Sequence, residues 1–583
     1  MRRYFIVARD VGGLTRAMSA KLEARQQKAT LSLSRLIPGR KRKLGVDGFV
    51  EDSGRLSVTG PEVFAAAPEK LLMLFRCADA HDLDLHPDAF SAVSRSLSLV
   101  TPSLRRDPEA TRAFLDILAH GQRPYRVLTL MNETGLLGRF LPEWGRIVGQ
   151  TQFNMYHAYT VDEHTLQAIG IINDIWRGKL KAEHPNASEV VHRIDDFEAL
   201  MLAMMLHDVG KGGDRGQLED GAIAARRACE RLGLDPRRIE FVVWLVRNHL
   251  ALSDYAQKRD VSDPETVRAF TELVGDPERL RTLLILTVAD IRAVGPGVWN
   301  AWKGQLIRDL YQRTEAAFRG ETLHPVDPLD DYPELMRRGR AQGVVAEVLD
   351  PDPADTEGPT ATRVAVAATD RPGLFADLAQ ALTAAGADVV GARVATAEDG
   401  AALDVFELQD GAGMPYGQAE PRRLTRLLKA LEAAARGQAV RASPAPPISP
   451  RRAAFDVRPT TIIDLEQSPS AAVVEVSGAD RPGLLADLAR VLSEHRLSVR
   501  SAHIAGFGER AVDSFYVTDA RGRKPKAGPA LERLRADLET ALDWKDRRVS
   551  RVSTPVRASL RDVSEVGRLR PAKRPVSRTR EAG

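Results

Sequence analysis

One pentapeptide, Asp-Arg-Pro-Gly-Leu, stands twice in this chain, at Asp370–Leu374 and again at Asp480–Leu484. Each copy follows an alternating apolar run, with Val364 and Val366 before the first and Val474 and Val476 before the second. Each precedes a helix-like run, Phe375-Ala-Asp-Leu-Ala or Leu485-Ala-Asp-Leu-Ala. A unit that recurs after about 110 residues in the same frame implies a duplicated small domain. In both copies the order reads strand, turn, helix, strand, hairpin, strand, helix. Asp399-Gly400 marks the first hairpin, between Val389–Thr396 and Ala402–Leu408; Phe507-Gly508-Glu509 marks the second, between Val499–Ala505 and Val512–Val517. Asp404 and Asp513 take matching positions on the last of these strands. This is most of a ferredoxin-like βαββαβ unit, with no legible closing strand in either copy.

Gly373 and Gly483 let the backbone turn tightly between strand and helix, which leaves N–H groups at the helix start suited to a ligand carboxylate. Asp370 and Asp480 could take a ligand ammonium. One copy alone would read as a turn and a helix start. Two copies in matched frames read as a small-molecule sensor with at least one working site.

The rest of the chain needs further cores, since 583 residues exceed what one core supports. A net charge of +4 is small for that length and does not point to nucleic acid. Cys77 and Cys229 stand far apart with no metal-ligand spacing, so neither a disulfide framework nor a structural zinc site is expected, and a reducing cytoplasm fits. No apolar run approaches the roughly 18 residues of a membrane span, and the first residues are too briefly apolar for a signal peptide. The tail after Val556 is basic and poor in large apolar residues, and reads as disordered.

Residues 1 to 140 read as helices broken by a basic, glycine-containing stretch with strand-like runs near Phe49-Val50 and Leu56–Val58. Helical segments continue over Val161–Trp176, Phe197–Leu206, Ala222–Leu232, Arg238–His249 and Glu278–Val294. Phe197–Leu206 is almost wholly apolar, as a helix buried on all sides would be. It ends in His207-Asp208, followed by Val209-Gly210-Lys211. Polar groups at the end of a buried helix cost free energy unless paired or holding a metal. His164 and Asp290 each interrupt an otherwise apolar helical run, and His249 ends another. Two histidines and two carboxylates make a mixed nitrogen and oxygen ligand set, suited to magnesium, manganese, iron or zinc. Such an ion acidifies its water and polarises a phosphoryl oxygen. Lys211 could hold phosphate charge. A His-Asp dipeptide alone would be a cap or a surface pair; His164 upstream and Asp290 downstream change that balance. His157 and His192 read as structural.

His164, His207-Asp208 and Asp290, in this order, resemble the HD-domain metal-dependent phosphohydrolases. The text around them is more specific. Phe153-Asn-Met-Tyr-His-Ala-Tyr-Thr-Val-Asp-Glu-His-Thr, Leu206-His-Asp-Val-Gly-Lys-Gly and Ala289-Asp-Ile-Arg-Ala-Val-Gly-Pro-Gly-Val-Trp-Asn resemble the bifunctional uridylyltransferase/uridylyl-removing enzymes of bacterial nitrogen control. The Asp-Arg-Pro-Gly-Leu repeats resemble that family's tandem ACT domains, and the likeness runs from Arg3 to about Val552. It implies a multidomain fold: an all-α helical region and an α-helical HD domain, followed by two α+β ferredoxin-like ACT domains.

The expected boundaries are 1–140 for a helical region that follows a nucleotidyltransferase core, 141–325 for the HD domain, 326–360 for a linker, 361–440 for the first ACT domain, 441–470 for a second linker, 471–550 for the second ACT domain and 551–583 for a basic tail. The family's nucleotidyltransferase signature, Gly-Ser and then Asp-x-Asp, is not found. Asp82-Leu-Asp84 has no Gly-Ser before it and reads as a helix end and turn. The chain thus resembles a member lacking that N-terminal domain, and UTP-dependent transfer is not expected of it alone.

The resemblance implies glutamine sensing through the ACT domains and hydrolytic removal of UMP from a tyrosine of the PII signalling protein. The divalent ion, magnesium or manganese, would sit on His164, His207, Asp208 and Asp290, with Lys211 and His249 stabilising phosphate charge or donating a proton. Asp370, Gly373, Asp480 and Gly483 would bind the effector. Two rivals stay open: an HD-type alarmone hydrolase, and a non-catalytic glutamine-sensing partner of PII.

Overall fold

The computed structural model describes residues 42–543, apart from 61, 152–158, 262, 296–297, 300, 324–327, 351–360, 398, 412, 439–454, 456 and 508–509, together with parts of 2–19. The stretch Phe153–Ala158, His157 and the basic tail lie outside the described residues.

The N-terminal region departs from the all-α expectation. Four short strands, β1 (Arg42–Lys43), β2 (Phe49–Asp52), β3 (Arg55–Val58) and β4 (Asp84–Leu85), form a sheet in that order, with β3 and β4 parallel. β2 and β3 fall on the strand-like runs read near Phe49-Val50 and Leu56–Val58, while the two-residue β1 and β4 are too short to show a pattern. Helices α1 (Lys70–Ala80), α2 (Pro87–Arg95), α3 (Pro108–Leu115) and α4 (Pro124–Glu133) complete this region, with α2 packed on β3. Asp82 and Asp84 are not a metal pair: Arg126 donates to both, at 2.8 and 2.7 Å.

The central helices are α5 (Val161–Trp176), α6 (Phe197–Leu206), α7 (Gln217–Arg231), α8 (Pro236–Asn248), α9 (Ala251–Lys258), α10 (Pro264–Val274), α11 (Pro277–Val294) and α12 (Ala301–Phe318). Their interior is continuous with that of the N-terminal region, so both halves share one core. Helix α6 is its axis: every side chain from Ala199 to Leu206 is buried. Aspartates cap α6, α8, α10 and α11, each accepting from a backbone N–H of the first turn, which satisfies donors that a buried helix start would otherwise leave orphaned.

The repeat units form one eight-stranded sheet. Its strands are β5 (Val344–Val348), β6 (Thr362–Thr369), β7 (Asp388–Thr396), β8 (Ala401–Gln409), β9 (Thr460–Asp464), β10 (Ala472–Ala479), β11 (Leu497–Phe507) and β12 (Arg510–Asp519), in the order β5-β6-β8-β7-β11-β12-β10-β9. The fourth strand of each unit comes first in sequence, not last. β5 pairs with β6, and β9 with β10, both antiparallel. These strands lie inside the stretches 326–360 and 441–470 expected to be linkers. Helix α13 (Pro333–Gln342) also falls in the first of them. Five-residue strands beside proline-rich text carry too little pattern to be read. The observed order is therefore ββαββα, with the edge position of the ferredoxin-like sheet filled from the N-terminal side.

The two sheets join where Arg393 of β7 pairs with His503 of β11. These positions are equivalent under the repeat, so a local twofold axis runs between them. Helices α14 (Leu374–Ala384) and α16 (Leu484–Glu494) pack side by side on one face, flanked by α15 (Pro421–Ala435) and α17 (Pro529–Leu542). The opposite face is covered by α13 over the first unit and by α9, from the central helices, over the second.

Candidate metal centre and sensor turns

Helix α5 carries His164, the end of α6 carries His207 and Asp208, and α11 carries Asp290. Helix packing brings the four together. His164 Nε2 lies 2.9 Å from Asp290 Oδ1, and His207 Nε2 lies 3.5 Å from the same oxygen. Among the described residues, ligand atoms of His164, His207 and Asp290 all fall within 4.8 Å of one another. Asp208 Oδ2 sits at the edge of this group, 3.2 Å from His207 Nε2 and 3.9 Å from His164 Nε2.

The donors suit a divalent ion on an observation of their own. His207 Nδ1 lies 2.7 Å from the Met204 carbonyl, which can only accept, so Nδ1 carries the proton. The other ring nitrogen, Nε2, is fully buried and makes no hydrogen bond. An imidazole fixed by a carbonyl on one side, with its lone pair aimed at carboxylates, is the arrangement of a metal-bound histidine. Without an ion the carboxylates act on the ring itself. Burial disfavours the His207 imidazolium, but Asp208 and Asp290 outweigh it and carry its pKa up to about 10. Burial likewise opposes ionisation of Asp208 and Asp290. The neighbouring histidines, with Lys211 for Asp208, overcome it and hold both well below the usual carboxylate range.

Lys211 and His249 join the cluster. Lys211 Nζ is 2.5 Å from Asp208 Oδ2, so its charge is committed to a candidate ligand. His249 is buried, its ring 5.2 Å from that of His207, and its Nδ1 lies 2.7 Å from the Val246 carbonyl. Burial and the nearby His207 push its pKa down, so it stands neutral with Nε2 as the acceptor nitrogen. His192 packs its ring on Trp176 at 4.8 Å, away from the cluster.

Two contributors were not read from the sequence. Gln217 Nε2 donates to Asp208 Oδ1 at 3.0 Å, which orients the carboxylate toward His207. A glutamine in the first turn of a polar helix carries no pattern that marks it. Gly210 lets the His-Asp loop lie directly on α7: a Cβ there would come within 2.1 Å of the Gln217 carbonyl and 2.3 Å of the Gly221 nitrogen. Its neighbourhood in Val209-Gly210-Lys211 was the available signal.

The two pentapeptide turns are built alike. Gly373 has φ 81° and Gly483 φ 78°, the left-handed region where a side chain is strained. Arg371 donates to Asp377 at 2.6 Å and to the Ala434 carbonyl at 2.6 Å. Arg481 is 2.6 Å from Asp487 and donates to the Ala541 carbonyl at 2.8 Å. The arginine of each pentapeptide therefore staples the turn to the end of the unit's second helix. Asp370 is half-buried, and burial raises its carboxyl pKa. Beneath it, on the helix-facing side of β8, Asp404 is fully buried and neither of its oxygens makes a hydrogen bond. Burial, and then the nearby Asp370, push the Asp404 carboxyl up to about 8.

At the second turn Asp480, Gly483 and Asp513 face Thr383 and Asp388 of the first unit across a cavity of about 50 Å³. At the first turn Ser493, the equivalent of Thr383, would have its Oγ 3.2 Å from a Cβ on Gly373, and the charge of Arg500 acts on Asp370. Cys77 and Cys229 are buried free thiols. Among the described residues no helix is long and apolar enough to cross a membrane.

Comparison with known proteins places these features. A profile described as "Uridylyltransferase GlnD third domain" matches residues 49–140, and one described as "ACT domain" matches residues 472–538. The bifunctional uridylyltransferase/uridylyl-removing enzyme of Caulobacter vibrioides (strain NA1000 / CB15N) is 52% identical over 94% of this chain and 63% of that protein. Its counterpart from Phenylobacterium zucineum (strain HLK1) is 53% identical over 93% of this chain and 62% of the relative. The chain thus spans somewhat less than two thirds of the relatives it matches. A solved tRNA-processing enzyme (apo form 2) aligns over 46% of this chain and 64% of its own, at 14% identity and a TM-score of 0.30, too slight to bear on the fold. By the two profiles and an identity above 50% over most of its own length, this chain is a homologue of part of the bifunctional uridylyltransferase/uridylyl-removing enzymes.

Proposed function

We propose that the helical region around α6 is an HD-type phosphohydrolase that removes UMP from uridylylated PII, regulated by glutamine through the repeat units. The observation that carries this reading is the buried cluster of His164, His207, Asp208 and Asp290, with His207 Nδ1 tied to a carbonyl and His207 Nε2 facing the two carboxylates. The relatives' names supply the uridylyl-removing activity, and the resemblance in sequence supplies PII as substrate. Neither supports an alarmone hydrolase or a non-catalytic partner.

His164, His207, Asp208 and Asp290 would hold a divalent ion, magnesium or manganese. When bound, such an ion supplies positive charge for the phosphoryl oxygens and acidity for a water. The chain's own residues do the rest. Gln217 fixes Asp208, and the Met204 carbonyl fixes the tautomer of His207. Lys211 balances Asp208 and offers its charge to a phosphoryl oxygen once that carboxylate is otherwise engaged. His249, neutral and with Nε2 open, is placed to take or return a proton near the cluster. The leaving group is the tyrosine phenolate, whose conjugate acid has a pKa of about 10, so modest assistance suffices.

The repeat units act as the sensor, both with the ACT fold. The effector would lie at the pentapeptide turns, with Asp370 or Asp480 toward its ammonium and the N–H groups after Gly373 or Gly483 toward its carboxylate. The cavity shared by Asp480 and Asp388 favours the second turn. The test is UMP release from uridylylated PII by the purified chain with Mn²⁺ or Mg²⁺, with and without glutamine. Release that glutamine stimulates supports the reading. No release with either ion rejects it.

A further inference from the structure

The sensor sheet and the metal cluster are joined by one short element. His249 ends α8, Leu250 follows, and α9 begins at Ala251. α9 lies on the outer face of the second unit, against β11 and β12. Its residues Leu252, Ala256 and Gln257 are buried, the first two in the core of the central helices. Just beyond its end, the backbone N–H of Asp260 donates to the Tyr516 hydroxyl at 2.9 Å.

Tyr516 lies on β12, 4% exposed, packed with Ala471 and Val473 in a small apolar cluster of the outer face. His503 and Ser501 stand beside it on β11, with His503 Nε2 3.1 Å from Ser501 Oγ and the His503 ring 5.9 Å from that of Tyr516. The same two strands line the cavity on their other face: Asp513 on β12, Ile504 and Gly506 on β11. Residues alternate sides along a strand, so β11 and β12 present effector-side groups to one face and α9 contacts to the other.

We infer that the Tyr516 hydroxyl is a positioning group for the hydrolytic site: it anchors the far end of α9, the helix whose near end sets the place of His249. This rests on the functional reading above and gives it a route. An eight-residue helix is about 12 Å long, so a shift of β11 and β12 when the sensor turns fill reaches His249 through a single rigid element. Beside the packing of α9 on β11 and β12, this hydrogen bond is worth about 1 kcal/mol, enough to shift a local equilibrium about fivefold.

The experiment compares wild type with Tyr516→Phe, which keeps the ring and removes only the hydroxyl. Hydrogen exchange is followed by peptide, and steady-state hydrolysis of bis(4-nitrophenyl) phosphate is measured with Mn²⁺ on the full chain. The expected result is exchange about fivefold faster over 251–260, unchanged exchange over 374–384 and 484–494, and kcat lowered severalfold at constant KM. Unchanged exchange over 251–260, or faster exchange there with unchanged kcat, overturns the inference. So does a uniform rise in exchange across both sensor helices, which would mark a purely structural role. A wild-type chain that hydrolyses nothing overturns the functional reading alone, and exchange over 251–260 then decides the anchor by itself.

Discussion

Asp208 and Asp404 are both enclosed, 2% and 1% exposed, yet their surroundings treat a carboxylate in opposite ways. Around Asp208 stand Lys211, His207, His164 and the amide of Gln217, and its charge is held. Around Asp404 there is apolar packing, an oxygen pair without hydrogen bonds, and the like charge of Asp370. Burial alone therefore does not identify a metal ligand. What does is convergence of donors from separate helices on one point, with each donor's far side already fixed. Asp404 lacks that support and takes the cheaper course of staying protonated.

The largest effect expected from breaking this contrast lies on the supported side. Asp208→Ala removes a proposed ligand and leaves Lys211 without the carboxylate it pairs with. Metal-dependent phosphodiester hydrolysis should fall by about three orders of magnitude, the scale of several kcal/mol of transition-state charge stabilisation. Metal content, read by mass spectrometry, should fall with it. Full retention of activity would remove Asp208 from the cluster's chemistry.

The next effect lies on the unsupported side. An aspartate has a pKa of about 3.9 in an unfolded chain, and Asp404 is pushed up to about 8 in the fold. Because the folded value is the higher one, the folded state holds the proton more tightly. Stability is then complete at low pH and drains away as pH rises from about 4 toward 8. Asp404→Asn should stabilise the fold at pH 8 by an amount on the order of several kcal/mol, read as a raised melting temperature, and should change that temperature far less at pH 5. Equal melting shifts at the two pH values would show that Asp404 does not ionise as described.

A smaller change sharpens the comparison by stripping support without touching a ligand. Gln217→Leu removes the hydrogen bond that orients Asp208, and metal affinity should fall about 10- to 100-fold. Titration with Mn²⁺ measures it, and unchanged affinity would mean Asp208 needs no such fixing. The smallest effect concerns the turns. Gly483→Val forces a branched side chain into the left-handed region, at a cost of about 1–2 kcal/mol. It should also weaken glutamine binding by calorimetry more than Gly373→Val does. Equal loss at both turns would make the two units functionally equivalent.

Much of this arrangement is legible in the sequence where a residue contradicts its surroundings. His164, Asp290 and His207-Asp208 stand out because polar groups interrupt apolar helices. The repeat stands out because two turns share a frame. Residues that agree with their surroundings stay hidden. Gln217 is an ordinary residue at a polar helix start. α9 follows α8 across Leu250 with no glycine or proline to mark the break. β5 and β9 are too short to alternate visibly, which is why each unit's edge strand was sought downstream. The arginines of the two pentapeptides carry no mark of their staple role, since their partners are carbonyls more than sixty positions away in the case of Arg371 and sixty in that of Arg481.

The most direct measurement is UMP release from uridylylated PII by the purified chain, supplied with Mn²⁺, beside the same chain carrying His207→Ala. The account predicts release by the wild type and its loss in the variant, with the variant's fold intact by circular dichroism. Release that survives His207→Ala, or a wild type that binds the ion and releases nothing, would contradict it.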